Sequence, residues 1–179
     1  MITRRFLMLA GGAASLAPPA LAKEDHLPLP PALADLSALA LTRPDGAATT
    51  LGAELAPGRA AVISLWATWC GPCIQEAQHL SKTRTAHAPA ALDIIGINVE
   101  RNRDEQKIAS FMKKGRVNYA QLRGEPEPVY TAFGGLMPIT LPRLYVFDRA
   151  GRATKAFGRY SGSKTLKEID AAIAAAMRG

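Results

Sequence analysis

Among 179 residues there are only two cysteines and three histidines. The histidines, His26, His79 and His87, show none of the paired spacings that ligate a metal, so a zinc centre built on the cysteines would lack its further ligands. Aromatic residues make up 6% of the chain. The formal net charge is +7, yet the positive residues are scattered, Lys113-Lys114 being the main pair. With no basic stripe interleaved with aromatics, no nucleic-acid partner is expected and the charges read as a solvated surface. No apolar run reaches the roughly 20 residues that span a membrane comfortably. Internal repeats and signs of a second domain are also missing. What is present, 48% hydrophobic and 21% charged residues, suits one domain with a proper core plus a tail.

The tail is N-terminal. Arg4 and Arg5 form a basic region, Phe6 to Ala17 is apolar and rich in Gly and Ala, and Ala20-Leu21-Ala22 offers a small-x-small cleavage site before Lys23. Residues 1–22 are therefore expected to be an export signal. Thr3-Arg4-Arg5-Phe6-Leu7 resembles a twin-arginine signal, although an ordinary secretory signal also carries paired arginines. An uncleaved membrane anchor is the alternative, disfavoured by the short apolar run and by Pro18 and Pro19. Export to the periplasm would place the cysteines under oxidising conditions. Residues 23–34, polar and proline-rich at their start, read as a linker, and 35–179 as the folded domain.

The two cysteines stand three positions apart in Trp66-Ala67-Thr68-Trp69-Cys70-Gly71-Pro72-Cys73, after the apolar run Ala60 to Leu65 and before a helical pattern. A helix beginning there places Cys70 at its N-terminal end, where free N–H groups and the macrodipole favour an anion. That anion would be the thiolate, the form of cysteine that attacks a disulfide. Cys73, one turn later, faces Cys70 and can resolve a mixed disulfide. Pro72 suits a first helical turn, which needs no N–H, and Gly71 leaves the approach to Cys70 open. Two other uses of the pair stay open on the residues alone. One is a structural disulfide, which would close a very short loop and stabilise little. The other is a copper-handling site completed by a methionine, since soft thiolates select Cu(I).

Trp-Cys-Gly-Pro-Cys after a hydrophobic strand resembles the active site of the thioredoxin superfamily. Leu65 to Cys73, followed by Glu76, is similar to its TlpA/ResA/DsbE-like branch, thiol–disulfide oxidoreductases that work outside the cytoplasm. The resemblance runs from about Asp35 to the C-terminus. It implies an α/β, thioredoxin-like fold: a central mixed sheet flanked by helices, with an added N-terminal β-hairpin.

The chain pattern agrees. Leu36 to Leu41 and Thr49 to Leu51 flank the turn Pro44-Asp45-Gly46 and read as that hairpin. Ala60 to Leu65 reads as a buried parallel strand. In the helix after Cys73, Ile74, Ala77 and Leu80 share a face. Leu92 to Val99 is a second central strand. Asn102 and Glu105 have capping-box spacing for a helix with Ile108, Phe111 and Met112 inward, closed by Lys113 to Gly115. Val117 to Leu122 reads as a short strand and Pro128 to Phe133 as a short helix. Arg152 to Phe157 is expected as the hairpin partner of the strand before it. Thr165 and Glu168 offer a second capping box, ahead of the stripe Leu166, Ile169, Ile173 and Met177.

Met137 to Asp148, with Gly151, is similar to the family's proline-led strand that ends in Asp-x-x-Gly. That register points to Pro142, rather than Pro138, as the family's cis-proline opposite the cysteines. In the family this loop leaves backbone groups free to pair with an extended client segment. Trp69, Gly71, Pro72, Leu141, Pro142 and Arg143 are accordingly expected to meet the client, with Cys70, Cys73 and Glu76 catalytic and no metal or other cofactor beyond the redox-active disulfide. Two positions depart from thioredoxin. Ser64 stands where thioredoxins carry a buried Asp, and a serine is no base at this pH. Glu76 matches the branch's acidic residue. With its pKa raised by burial it is expected to assist proton transfer from Cys73, the alternative being an exposed helix glutamate. Arg143 replaces a small hydroxyl residue; near Cys70 its guanidinium would stabilise the thiolate and favour acidic clients, the alternative being a solvent-facing edge residue.

The resemblance implies disulfide-bearing client proteins such as apocytochrome c or copper-site cysteines of oxidase subunits. It also implies a membrane electron donor of the DsbD/CcdA kind, and a monomer. The same machinery run in reverse would be a disulfide donor or isomerase.

Overall fold

The computed structural model describes residues 27–87, 91–136, 138, 140–158, 160 and 162–179. The expected export signal and the first residues of the expected linker lie outside the described residues.

The centre of the fold is β3 (Ala60–Trp66), every residue of which is buried. Its Ala-Ala-Val-Ile-Ser-Leu-Trp run suits a strand covered on both faces. It pairs in parallel with β4 (Leu92–Asn98) along its whole length, from Ala60 opposite Leu92 to Trp66 opposite Asn98. β5 (Ala120–Arg123) extends the parallel set beside β4. On the other side β6 (Arg143–Phe147) runs antiparallel to β3, and β7 (Ala153–Phe157) antiparallel to β6. The hairpin of β1 (Ala40–Thr42) and β2 (Ala48–Thr50) joins β5 through Thr42 opposite Arg123. The result is a seven-stranded mixed sheet in the order β2-β1-β5-β4-β3-β6-β7.

Among the described residues five α-helices flank it: α1 (Leu33–Leu36), α2 (Gly71–Ala86), α3 (Glu105–Gly115), α4 (Pro126–Ala132) and α5 (Ser163–Arg178). Because side chains alternate along a strand, β3 feeds two cores. Ala61, Ile63 and Leu65 meet Leu36 of α1 and Val129 and Tyr130 of α4, while Ala60 and Val62 meet Leu80 of α2 and Ile169 and Ile173 of α5. Each Val, Leu or Ile side chain among these, fully buried, contributes roughly 1.5–3 kcal/mol. No helix among the described residues is long and apolar enough to cross a membrane.

Several local expectations shift. Leu36 is helical, and the hairpin pairs residues 40–42 with 48–50; its turn is closed by Gly46 at φ 90° and by the Asp45 carboxylate, which accepts from the Ala47 N–H. Part of the expected linker is tied to the core: Leu27 and Leu33 pack there, and the Leu33 N–H donates to Gly151 O at 2.9 Å, while Leu29 is exposed. Asp104, not Asn102, caps α3, accepting from Gln106 and Lys107 N–H at 3.0 and 3.2 Å; Glu105 turns instead to Arg123. The strand expected from Val117 begins at Ala120, because Arg116 (φ 51°) and Val117 close the helix by donating to Lys113 and Met112 carbonyls. α4 starts two residues early, since Pro126 and Pro128 both fall in a first turn that requires no N–H. Thr165 lies inside α5 and is buried; the cap is Gly162 at φ 71°.

Candidate functional site

Cys70 is the N-cap of α2, at the C-terminal end of β3, and is disulfide-bonded to Cys73 with 5.3 Å between Cα atoms. Both are buried, in a small cluster with Trp66, Ala77 and Phe111. Trp66 stacks on Phe111 at 4.0 Å between ring centroids. Met112 packs against the same cluster. Trp69, Gly71 and Pro72 are exposed around the pair, Trp69 to 65%. A Cβ on Gly71 would touch nothing within 4 Å, so the approach there is open.

Glu76 lies one turn beyond Cys73 on the buried side of α2 and is 3% exposed. Its carboxylate accepts from the Ser64 hydroxyl at 2.6 Å. Burial drives its pKa up from 4.5 to about 7, and the Ser64 bond opposes that rise. Sheet register explains the pairing. Ser64 stands opposite Gly96, and Gly96 opposite Gln121, so the three form a row beneath α2. Gly96 carries no side chain, and the Gln121 amide occupies the space a Cβ would fill. Gln121 Oε1 in turn accepts from Trp66 Nε1 at 2.9 Å.

The loop before Cys70 is held from β4. The Thr68 N–H and hydroxyl donate to the two carboxylate oxygens of Glu100 at 2.9 and 2.8 Å, and the Asn98 amide donates to the same group at 2.9 Å. Two grooves, of about 480 and 330 Å³, flank Trp69, and Glu100 and Asn102 line both. A cavity of about 520 Å³ lies further along α2, by Ser81, Thr85 and Asn118, two turns or more from the disulfide.

The Leu141–Pro142 peptide is cis. Leu141 packs on both the cysteine cluster and the larger core, and Pro142 is buried. Arg143 answers to neither expectation made for it. It is only 8% exposed, so it is not a solvent-facing edge residue. Its guanidinium does not turn to Cys70 either: strand alternation directs it to the α4 face, 4.3 Å over the Tyr130 ring, where it donates to Thr140. Gly96, Glu100, Gln121 and Tyr130 carried no motif in the sequence; only the folded sheet and α4 bring them to the site.

The chain is 28% identical to the thiol:disulfide interchange protein HelX of Rhodobacter capsulatus over 158 residues, 87% of this chain and 85% of that one. It is 27% identical to the thiol-disulfide oxidoreductase ResA of Bacillus subtilis over 100 residues, 55% of this chain and 52% of that one. Among solved structures, a secreted Mycobacterium tuberculosis disulfide oxidoreductase homologous to E. coli DsbE superposes with a TM-score of 0.63 at 22% identity, covering 79% of this chain and 98% of that one. A thiol:disulfide interchange protein of the thioredoxin family from Chlorobium tepidum gives 0.61 at 22% identity, covering 86% and 99%. Fold and cysteine pair together define a thioredoxin-fold thiol–disulfide oxidoreductase of the ResA, DsbE and HelX type. The chain belongs to the Redoxin family, whose model matches residues 22–173.

Proposed function

We propose that the protein is an exported, periplasmic reductase of client-protein disulfides. The observation that carries the reading is Glu76: a buried carboxyl one turn past Cys73 whose pKa, about 7, suits it to take a proton near neutral pH. The Cys70 thiolate attacks one sulfur of a client disulfide. That bond breaks, a mixed disulfide forms, and the released client thiolate picks up a proton. Cys73 then passes its proton to the Glu76 carboxylate and attacks Cys70 Sγ. The second client sulfur leaves as a thiolate. Two electrons have moved to the client, and Cys70–Cys73 is oxidised.

The client would dock at Trp69, Gly71, Pro72 and the Leu141-Pro142 edge, by strand addition. Because an oxidising compartment does not return electrons, a membrane donor of the DsbD/CcdA kind would re-reduce the pair. Apocytochrome c and copper-site cysteines are the clients the TlpA/ResA/DsbE-like resemblance implies, with the protein acting as a monomer. The Gly71-Pro72 dipeptide supports the reducing direction, since thioredoxin carries the same pair.

The equilibrium reduction potential of Cys70–Cys73, measured against a dithiothreitol couple, tests the direction. A value near that of thioredoxin, about −270 mV, is expected; one near about −120 mV would make the protein a disulfide donor.

A further inference from the structure

We propose that Arg143 and Tyr130 clamp Thr140 and so preset the Thr140-Leu141-Pro142 edge for the client, making Arg143 a positioning residue for docking. The proposal rests on the docking role given above to that edge.

Thr140 is exposed, yet it is tied at every polar atom. Its N–H donates to the Tyr130 hydroxyl at 3.0 Å. Its own hydroxyl oxygen lies 3.1 Å from the Tyr130 hydroxyl and receives Arg143 Nη2 at 3.1 Å. Its carbonyl accepts from Arg143 Nε at 3.3 Å. One assignment satisfies all four: Tyr130 accepts from the Thr140 N–H and donates to Thr140 Oγ1, and Arg143 supplies both remaining donors. Tyr130 is 1% exposed on α4, so the platform itself is fixed in the core. The Arg143 Cζ lies 4.3 Å from the centroid of the Tyr130 ring, a cation–π contact.

Among the described residues no carboxylate forms a salt bridge with Arg143, although it is nearly buried. Burying a cation without an anion is unfavourable unless hydrogen bonds replace water; here Nε and Nη2 both donate to Thr140, and the buried Tyr145 hydroxyl is the guanidinium's other polar neighbour. Lysine has no planar fork to make them. The next residue, Leu141, packs on the cysteine cluster. Fixing Thr140 therefore fixes the approach to the disulfide. Without the clamp, ordering of the edge would fall on every docking event, weakening binding while leaving the sulfur chemistry intact.

The test compares two substrates of the reduced protein: a synthetic disulfide-bonded peptide, and a small aromatic disulfide too short to reach the edge. Thr140→Val is expected to raise KM for the peptide about fivefold, the worth of one or two lost hydrogen bonds. The ratio of kcat/KM for the peptide to the rate constant for the small disulfide should fall by the same factor. Thr140→Ser, which keeps the hydroxyl, should restore the wild-type KM, and Arg143→Gln should raise KM with the Cys70 thiol pKa unmoved. Thr140 is exposed, so both of its variants are expected to fold, and circular dichroism reports that directly. An Arg143→Gln variant with a raised Cys70 pKa and equal slowing on both substrates would overturn the proposal in favour of a charge effect. A lowered Tm with unchanged KM would overturn it in favour of a purely structural role. Should the wild type fail to saturate with peptide, the docking reading falls, and the clamp with it; saturation with no response to the variants removes the clamp alone.

Discussion

Ser64 of β3 donates to the Glu76 carboxylate of α2 at 2.6 Å, and both side chains are buried. One neutral donor does not offset the loss of water, so the folded Glu76 keeps its proton up to about pH 7, against 4.5 for an ordinary glutamate. Between those values the folded state binds more protons than the unfolded one. The contribution of Glu76 to stability is therefore fully present below about pH 4.5 and is lost as pH rises through about 7. Glu76→Gln removes the titration. Wild type should lose on the order of 3 kcal/mol relative to this variant between pH 4.5 and 8. Urea unfolding across that range checks it, and parallel curves would contradict it.

Ser64→Ala removes the bond that holds the Glu76 pKa down. The carboxyl then stays protonated to still higher pH. If Glu76 takes the Cys73 proton, the rate of mixed-disulfide resolution should move up the pH axis by about one unit. Stopped-flow release of a chromophoric client thiol measures this. A profile that coincides with wild type would send the Cys73 proton to water instead.

The cysteine pair, the buried strand before it and the helix after it were legible because each has a local signature: spacing, a continuous apolar run, a 3.6-residue period. The parallel set was legible for the same reason. What sequence could not supply was the facing of single side chains across the sheet. Arg143 shows this. Its position after Pro142 suggested a partner in Cys70, but one step of strand alternation sends it to Tyr130 on the opposite face. Asn102 shows a nearer failure: the spacing to Glu105 fitted a capping box, while Asp104, two residues on, offered a carboxylate in reach of two N–H groups. Glu100 had no signature, since its partner Thr68 is 32 residues away in sequence.

Gly96 sits in the middle of a buried strand, where glycine is normally unfavourable, and its reason is Gln121. A methyl group there would fall on the Gln121 amide, which holds the Trp66 indole N–H at 2.9 Å. Gly96→Ala should displace that amide, leave the indole unpaired and destabilise the protein by about 1–2 kcal/mol. Gln121→Ala in the same chain removes the obstruction, so the double variant should lose less than the two single losses combined. Thermal unfolding of the three variants decides it; strict additivity would mean that Gly96 does not make room for Gln121.

Glu100 acts on the other side of the cysteine loop. Its two oxygens receive three donors, the Thr68 N–H, the Thr68 hydroxyl and the Asn98 amide, and a charged acceptor strengthens each bond. Thr68→Val deletes one donor and keeps the shape, at an expected cost of about 1 kcal/mol. Glu100→Ala strands all three, including a backbone N–H two residues before Cys70, and should cost about 2–3 kcal/mol. In the Glu100→Ala background the Thr68 hydroxyl has lost its acceptor, so Thr68→Val should then cost almost nothing. Urea denaturation of the four proteins forms a complete double-mutant cycle. The oxidised pair is held by its own bond, so the effect on reactivity should be read in the reduced state. With the loop freed, Cys70 is no longer fixed as the cap of α2, its thiolate loses part of the N-terminal stabilisation, and alkylation of Glu100→Ala at neutral pH should slow severalfold. Unchanged alkylation with lowered stability would confine Glu100 to holding β4 and the loop together.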